Sequence, residues 1–194
     1  MFLASSAGDA NVTNTNEAYC SIVRTRLKDH SILIGAEVDC CLKDSKERSP
    51  QNYIELKTTR IMHHYKQRQN FARYKLLKFW AQSFLAGLPK IVVGLRDDDG
   101  VVRELTTYQT MDIPGRCKEF QNSWDPNICM NFLDRLLSWL KHVVTIDDKN
   151  VVYMLSFEPP FNKIHVDLIG DGSECFLPDW YVRDNLENDK SEGN

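Results

Sequence analysis

No apolar run in this sequence approaches the roughly 18 consecutive residues that a membrane-spanning helix requires. The opening stretch, MFLASSAGDA, has a very short apolar run and no positive segment ahead of it, so neither secretion nor membrane insertion is expected. Asn11-Val12-Thr13 has the form of a glycosylation acceptor, but without a secretion signal it reads as a chance match. The six cysteines (Cys20, Cys40, Cys41, Cys117, Cys129 and Cys175) include no C-x-x-C pair and no paired histidine spacing. That pattern supports neither a zinc ribbon nor a redox dithiol, and leaves reduced thiols as the expectation. A general excess of positive charge is lacking too. With 24 Lys and Arg against 27 Asp and Glu, the net charge is −3, so any surface for a polyanion has to be local.

The sharpest absence is itself local. From Leu56 to Arg96 there is no Asp or Glu, although an even spread of the 27 acids over 194 residues would place about five or six in such a window. The same 41 residues carry Lys57, Arg60, Lys66, Arg68, Arg73, Lys75, Lys78, Lys90 and Arg96. A charge of +9 in a chain that is net negative points to a polyanion surface and a phosphate-rich substrate.

At 194 residues and 42% hydrophobic, the chain is long enough for one globular domain with a real core, and a single domain over 1–194 is expected, with 1–10 and 184–194 loose. YCSIVRTRL and SILIGAEVDCC read as strands about the turn at Lys28-Asp29-His30; the polar connection LKDSKERSPQ leads to NYIELKT, which is expected to pair antiparallel with the second strand. A helix is expected from about His63 to Leu85, stopped by Gly87 and Pro89, with Phe71, Tyr74, Leu77, Ala81 and Phe84 as its core stripe. Asp98-Asp99-Gly100 marks a hairpin rather than a calcium loop, because the spaced ligands and terminal Glu of such a loop are missing. A second helix follows Asp125-Pro126, with Leu133, Leu136, Leu137 and Leu140 as core; VVYMLSFEP and KIHVDLIG are further strands, and CFLPDWYV closes the chain before an acidic tail. The fold class is mixed α/β, with a mixed, largely antiparallel sheet flanked by helices.

Two short motifs carry the chemistry. In GAEVDC, Glu37 and Asp39 are two residues apart, so on a strand both carboxylates leave one face, about 7 Å apart, while Val38 faces the other way. IELK repeats the geometry with Glu55 and Lys57. If the strands pair, like carboxylates at about 6 Å repel by roughly 3 kcal/mol at an effective dielectric near 20, and the cluster wants a cation. Hard oxygen donors select Mg²⁺ or Mn²⁺, and one or two such ions suit phosphoryl chemistry, with Lys57 positioning water or neutralising developing charge. The alternative is a merely solvated face of an antiparallel sheet. Lys75, Lys78 and Gln82 align at i, i+3 and i+7 on one helix face that could meet the phosphate beside the metal, or could be an ordinary solvated face. His63-His64 reads as a surface pair and Cys40-Cys41 as strand packing.

The order Glu37-x-Asp39, Glu55-x-Lys57, then KLLKFWAQSFLAGLP on a basic helix resembles the DXO decapping exoribonuclease family, also called Dom3Z. NTNEAYCSIVRTRL, WDPNICMNFL, LSFEPP and FLPDWYV match it in the same order, so the resemblance covers residues from about 11 to 183. It implies a restriction-nuclease-like core and an Mg²⁺- or Mn²⁺-dependent hydrolase of RNA 5′ ends. Such enzymes remove pyrophosphate from 5′-triphosphate RNA, remove incomplete or NAD caps, and degrade RNA 5′ to 3′. The motifs alone do not separate DNA from RNA.

Carried over position by position, Asp39 and Glu55 are metal ligands and Glu37 contributes to the metal site and to substrate contact. The carbonyl of Leu56 completes the coordination, Lys57 and Gln82 touch the scissile phosphate, and Cys20 lines the substrate pocket. The family pattern also has an upstream glutamate ligand and phosphate-binding arginines that do not occur in this sequence, which reads as the C-terminal half of a member. The resemblance further implies a nuclear location and, as an alternative role, an inactive RNA-end binder or partner that stabilises a 5′–3′ exoribonuclease.

Overall fold

The computed structural model describes residues 18–42, 49–148, 150–169, 178–181 and 183–184. The polar opening with Asn11-Val12-Thr13, residues 43–48 of the polar connection, Cys175, Phe176, Leu177 and Val182 of the aromatic closing segment, and the tail from residue 185 lie outside the described residues. The described residues fall into two compact units divided after Asp134.

In the first unit, strands β1 (Cys20–Leu27) and β2 (His30–Glu37) form an antiparallel hairpin in register from Leu27 opposite His30 to Cys20 opposite Glu37. Its turn places Lys28 at φ 48°, as tight hairpin turns require. The strand expected to continue to Cys41 breaks at Val38-Asp39, and Cys40–Cys41 becomes a short strand, β3, of a different sheet. Val38 drives the break. Its side chain is buried with Tyr53, Ala86 and Leu88, and its amide donates to the Tyr19 carbonyl at 2.9 Å. The chain therefore changes sheets between Glu37 and Asp39.

The main sheet has the order β3-β4-β5-β6, with β4 Tyr53–Arg60, β5 Lys90–Arg96 and β6 Val102–Gln109. β3 pairs antiparallel with β4, as expected, but over only Cys40–Ile54 and Cys41–Tyr53. β4 and β5 run parallel, and β5 and β6 are antiparallel, so the sheet is mixed. β5 buries Ile91, Val92 and Val93, as a strand covered on both faces should. The hairpin to β6 turns at Gly100, whose φ of 87° lies where a Cβ is disfavoured.

The crossover between the parallel strands is helical: α1 Tyr65–Asn70, a π-helical segment Phe71–Lys75, and α2 Leu76–Leu85, ending before Gly87 at φ 72°. The π segment resets the helical phase. The buried positions are Gln69, Phe71, Ala72, Leu76, Trp80 and Ser83, while Leu77, Ala81 and Phe84 are half-buried and Tyr74, expected in the core, is 55% exposed. An extra residue in one turn slides every later side chain around the axis, which a uniform 3.6-residue period does not anticipate.

Helix α3 (Ile113–Cys117) adds Ile113 and Cys117 to the core built on Phe71, Trp80, Ile91 and Val93. Helix α4 (Pro126–Val143) begins as expected, with Asp125 accepting the amide of Asn127 at 2.8 Å. Its leucine stripe is not core: Leu133, Leu136, Leu137 and Leu140 are half-buried. Apolar side chains occur on more than one side of this helix, and Ile128 and Phe132 are exposed, so one neighbour does not cover them. Among the described residues no helix is long and apolar enough to cross a membrane. The second unit contains the expected strands as an antiparallel pair, β7 Val152–Ser156 and β8 His165–Ile169, and a single turn of helix, α5, at Asp179–Tyr181.

Candidate active site

The helical crossover runs back along β4, and three contacts mark its path. Lys75 Nζ donates to Thr59 Oγ1 at 2.9 Å, the Lys57 ammonium lies 5.7 Å from the centre of the Phe79 ring, and Gln82 Nε2 donates to Glu55 Oε1 at 2.7 Å. Residues 55, 57 and 59 share a strand face, and residues 75, 79 and 82 share a helix face, so each periodicity delivers its side chains to one seam.

Glu55 is 2% exposed, which for a bare carboxylate carries a heavy desolvation cost. Lys57 Nζ forms an ion pair with the same oxygen that Gln82 reaches, and the charge is thereby matched. Asp39 acts on the backbone of β4: its Oδ2 accepts the amide of Leu56 at 2.8 Å. The register Cys40 opposite Ile54, continued one step, sets Asp39 opposite Glu55, so the Asp39 side chain takes the place of a strand partner for that amide. The Cys40 thiol beside it is pushed above its ordinary range, chiefly by burial and further by Cys41 and Asp39.

Glu37 and Cys20 face each other at the open end of the β1–β2 hairpin, both exposed. The predicted site residues thus assemble as Glu55, Lys57 and Gln82 in direct contact, Asp39 with Leu56, and Glu37 with Cys20. Among the described residues no three of His, Cys, Asp and Glu converge as a metal-ligating group, so the three carboxylates do not form one cluster. The donors around β4 fit an Mg²⁺-type ion held by one or two carboxylates with water and phosphate oxygens, and do not fit an all-protein cage.

Beside the seam lies an open depression of about 560 Å³ lined by Leu56, Lys57, Thr58, Lys75, Lys78 and Phe79. Among the described residues neither Lys75 nor Lys78 has a carboxylate partner. Thr59 and Phe79 join the seam without a motif of their own; the sequence signal for Thr59 is its place two residues beyond Lys57, and for Phe79 its place four beyond Lys75. His63 and His64 are exposed, as a surface pair should be; His64 is the N-cap residue of α1, and Gln67 Oε1 accepts both histidine amides at 2.8 and 3.1 Å. Cys40 and Cys41 are half-buried in β3, in line with packing.

A protein-family model described as "RAI1 like PD-(D/E)XK nuclease" matches residues 4–182. Glu55-Leu56-Lys57 has the (D/E)XK form of that description. The decapping and exoribonuclease protein of Xenopus laevis is 45% identical over 172 residues, covering 88% of this chain and 43% of the relative. The human protein of that name is 41% identical over 179 residues, covering 92% of this chain and 45% of the relative. Among solved structures, Scheffersomyces stipitis Rai1 matches with a TM-score of 0.75 at 28% identity, over 86% of this chain and 45% of that one. Candida albicans Rai1 in complex with pU5-Mn²⁺ matches with a TM-score of 0.74 at 26% identity, over 91% and 46%. The chain spans less than half the length of these relatives.

Proposed function

This chain belongs to the RAI1-like PD-(D/E)XK nuclease family, and on that footing we propose that it is a divalent-metal-dependent hydrolase of RNA 5′ ends. The reactions are removal of pyrophosphate from 5′-triphosphate RNA, removal of incomplete or NAD caps, and 5′ to 3′ degradation, with a nuclear location and a 5′–3′ exoribonuclease as a candidate partner. The observation that carries the reading is the buried Glu55 carboxylate held by Lys57 and Gln82 at the edge of a cationic depression. The relatives named for decapping and exoribonuclease activity, and the relative bound to pU5 and Mn²⁺, support it.

Asp39, Glu55 and the Leu56 carbonyl would hold Mg²⁺ or Mn²⁺, one ion or two, with Glu37, apart from them at the hairpin end, reaching the metal site only through water or substrate. Such an ion supplies an acidified water and draws charge from phosphate oxygens. The protein's own part is positional. Gln82 and Lys57 fix Glu55, leaving further donors of Lys57 and the amide of Gln82 for a phosphate oxygen at the scissile position. Lys75 and Lys78 add positive charge where an RNA backbone enters, and Cys20 lines the substrate side of the hairpin.

The test is release of pyrophosphate or a cap dinucleotide from 5′-triphosphate or capped RNA by the 194-residue chain with Mn²⁺ or Mg²⁺. Glu55→Gln and Lys57→Met should each lower the rate by about 10² or more. A second reading, a non-catalytic RNA-end binder, is favoured by the lack of a three-carboxylate cluster among the described residues. RNA retention with no metal-dependent release would sink the hydrolase and leave the binder.

A further inference from the structure

We propose that Tyr74 is a stacking platform for a base of single-stranded RNA, one step along the strand from the scissile phosphate, with Lys75 and Arg60 holding the backbone beside it. The proposal rests on the RNA-end reading above and names where the strand travels once it leaves Glu55.

The depression at Lys57 and Lys78 does not end at Lys75. A second one, of about 310 Å³, begins there and is lined by Thr59, Arg60, Asn70 and Tyr74 among others. Both linings include Lys75 and neither contains an acidic residue, although Arg60 of the second pairs with exposed Asp98 at 3.6 Å, a carboxylate that a phosphate would displace. Lys75 sits seven residues from Gln82, about 10 Å along the helix, so the two depressions make a track leading away from the buried carboxylate.

Tyr74 is 55% exposed on this track although, three residues beyond buried Phe71, an uninterrupted helical period would set it on the same side as Phe71. The π segment Phe71–Lys75 turns it outward while still burying Phe71 and Ala72. Single-turn π segments are rare and gather at functional positions. The Arg73 guanidinium lies 5.2 Å from the Tyr74 ring centre, bracing one side of the ring and adding positive charge. Alternating cations and a flat aromatic ring suit a single-stranded nucleic acid, whose bases all present a π face; sequence-independent recognition of this kind needs no base-edge donors.

Binding of two probes to the full 194-residue chain tests this without added Mg²⁺ or Mn²⁺: 5′-phosphorylated penta-adenylate and adenosine 5′-monophosphate. Tyr74→Ala should weaken the pentanucleotide about tenfold, the scale of one lost base stack. The mononucleotide should change less than about twofold, Tyr74→Phe should bind like the parent, and Lys75→Met should flatten the salt dependence of pentanucleotide binding. Equal pentanucleotide affinity for Tyr74→Ala and parent overturns the platform while leaving the RNA-end function standing. Failure of the parent chain to bind either probe overturns both. Weakened binding of a hexaglutamate peptide in place of the RNA would assign the ring to an acidic protein partner and also overturn it.

Discussion

Gln82 Nε2 stands 2.7 Å from Glu55 Oε1, joining residues 27 positions apart on the oxygen that Lys57 also reaches. Two donors on one atom make the three side chains a unit, so single changes should not add. Lys57→Met leaves a buried carboxylate with Gln82 as its remaining side-chain donor, and should cost about 1–3 kcal/mol of stability, moderated because Lys57 is partly solvated. Glu55→Gln in the same chain should recover part of that loss, since the amide carries no charge to bury. Denaturant unfolding of the two single variants and the double variant gives the coupling; additive losses would mean that Lys57 and Glu55 do not depend on each other.

The reset of helical phase makes a contrast between two aromatics. Trp80 is 2% exposed, with ring centres 5.0 Å from Phe84 and 5.0 Å from Trp124, and its indole belongs to the core. Trp80→Ala should cost about 3–5 kcal/mol, whereas Tyr74→Ala should stay within about 0.5 kcal/mol. Thermal or urea unfolding separates them. Comparable losses would mean that the Tyr74 ring packs into the core instead of facing solvent.

That contrast marks what short-range sequence pattern does not encode. Alternation on Tyr53–Arg60 placed Glu55 and Lys57 together, and the acid-free run located the cationic helix, because both effects depend on residue type and short-range spacing. The π segment depends on how Phe71, Ala72 and Trp80 fit one particular core, which no local pattern encodes. The break after Glu37 was hidden for a similar reason: Val38 continues an alternating strand pattern, yet its burial against Ala86 and Leu88, some fifty residues away, moves the chain into another sheet.

Asp97 anchors the β5–β6 turn: its Oδ2 accepts from Arg103 Nε at 2.6 Å and its Oδ1 from the Val101 amide at 2.9 Å. The Arg103 hydrogen bond first, and the turn amides after it, hold the carboxyl below its ordinary value of 3.8. A depressed acid stabilises the fold above the unfolded value and loses that contribution as pH falls through the folded one. Stability of the parent should therefore decline as pH drops below about 4, and Asp97→Asn should remove that part of the decline. Unfolding curves between pH 5 and pH 2 decide it; identical pH profiles would dissociate the turn from Asp97.

Cys117 tests the core at the other end of the pH scale. Its thiol is 1% exposed, points to the Ala72 carbonyl at 3.5 Å, and shares that acceptor with Trp124 Nε1 at 3.0 Å. Burial pushes its pKa up from 9.0 to about 11, against a smaller lowering by Trp124. A raised value in the fold means that the unfolded chain ionises first. The contribution is intact below the unfolded value and is lost as pH climbs towards the folded one, a span worth roughly 2–3 kcal/mol by linkage. Cys117→Ala should lose less stability between pH 9 and pH 11 than the parent does. At pH 8, a thiol reagent should modify exposed Cys20 promptly and Cys117 only on unfolding. Prompt modification of Cys117 in the native chain would show that the π segment and α3 part to admit solvent.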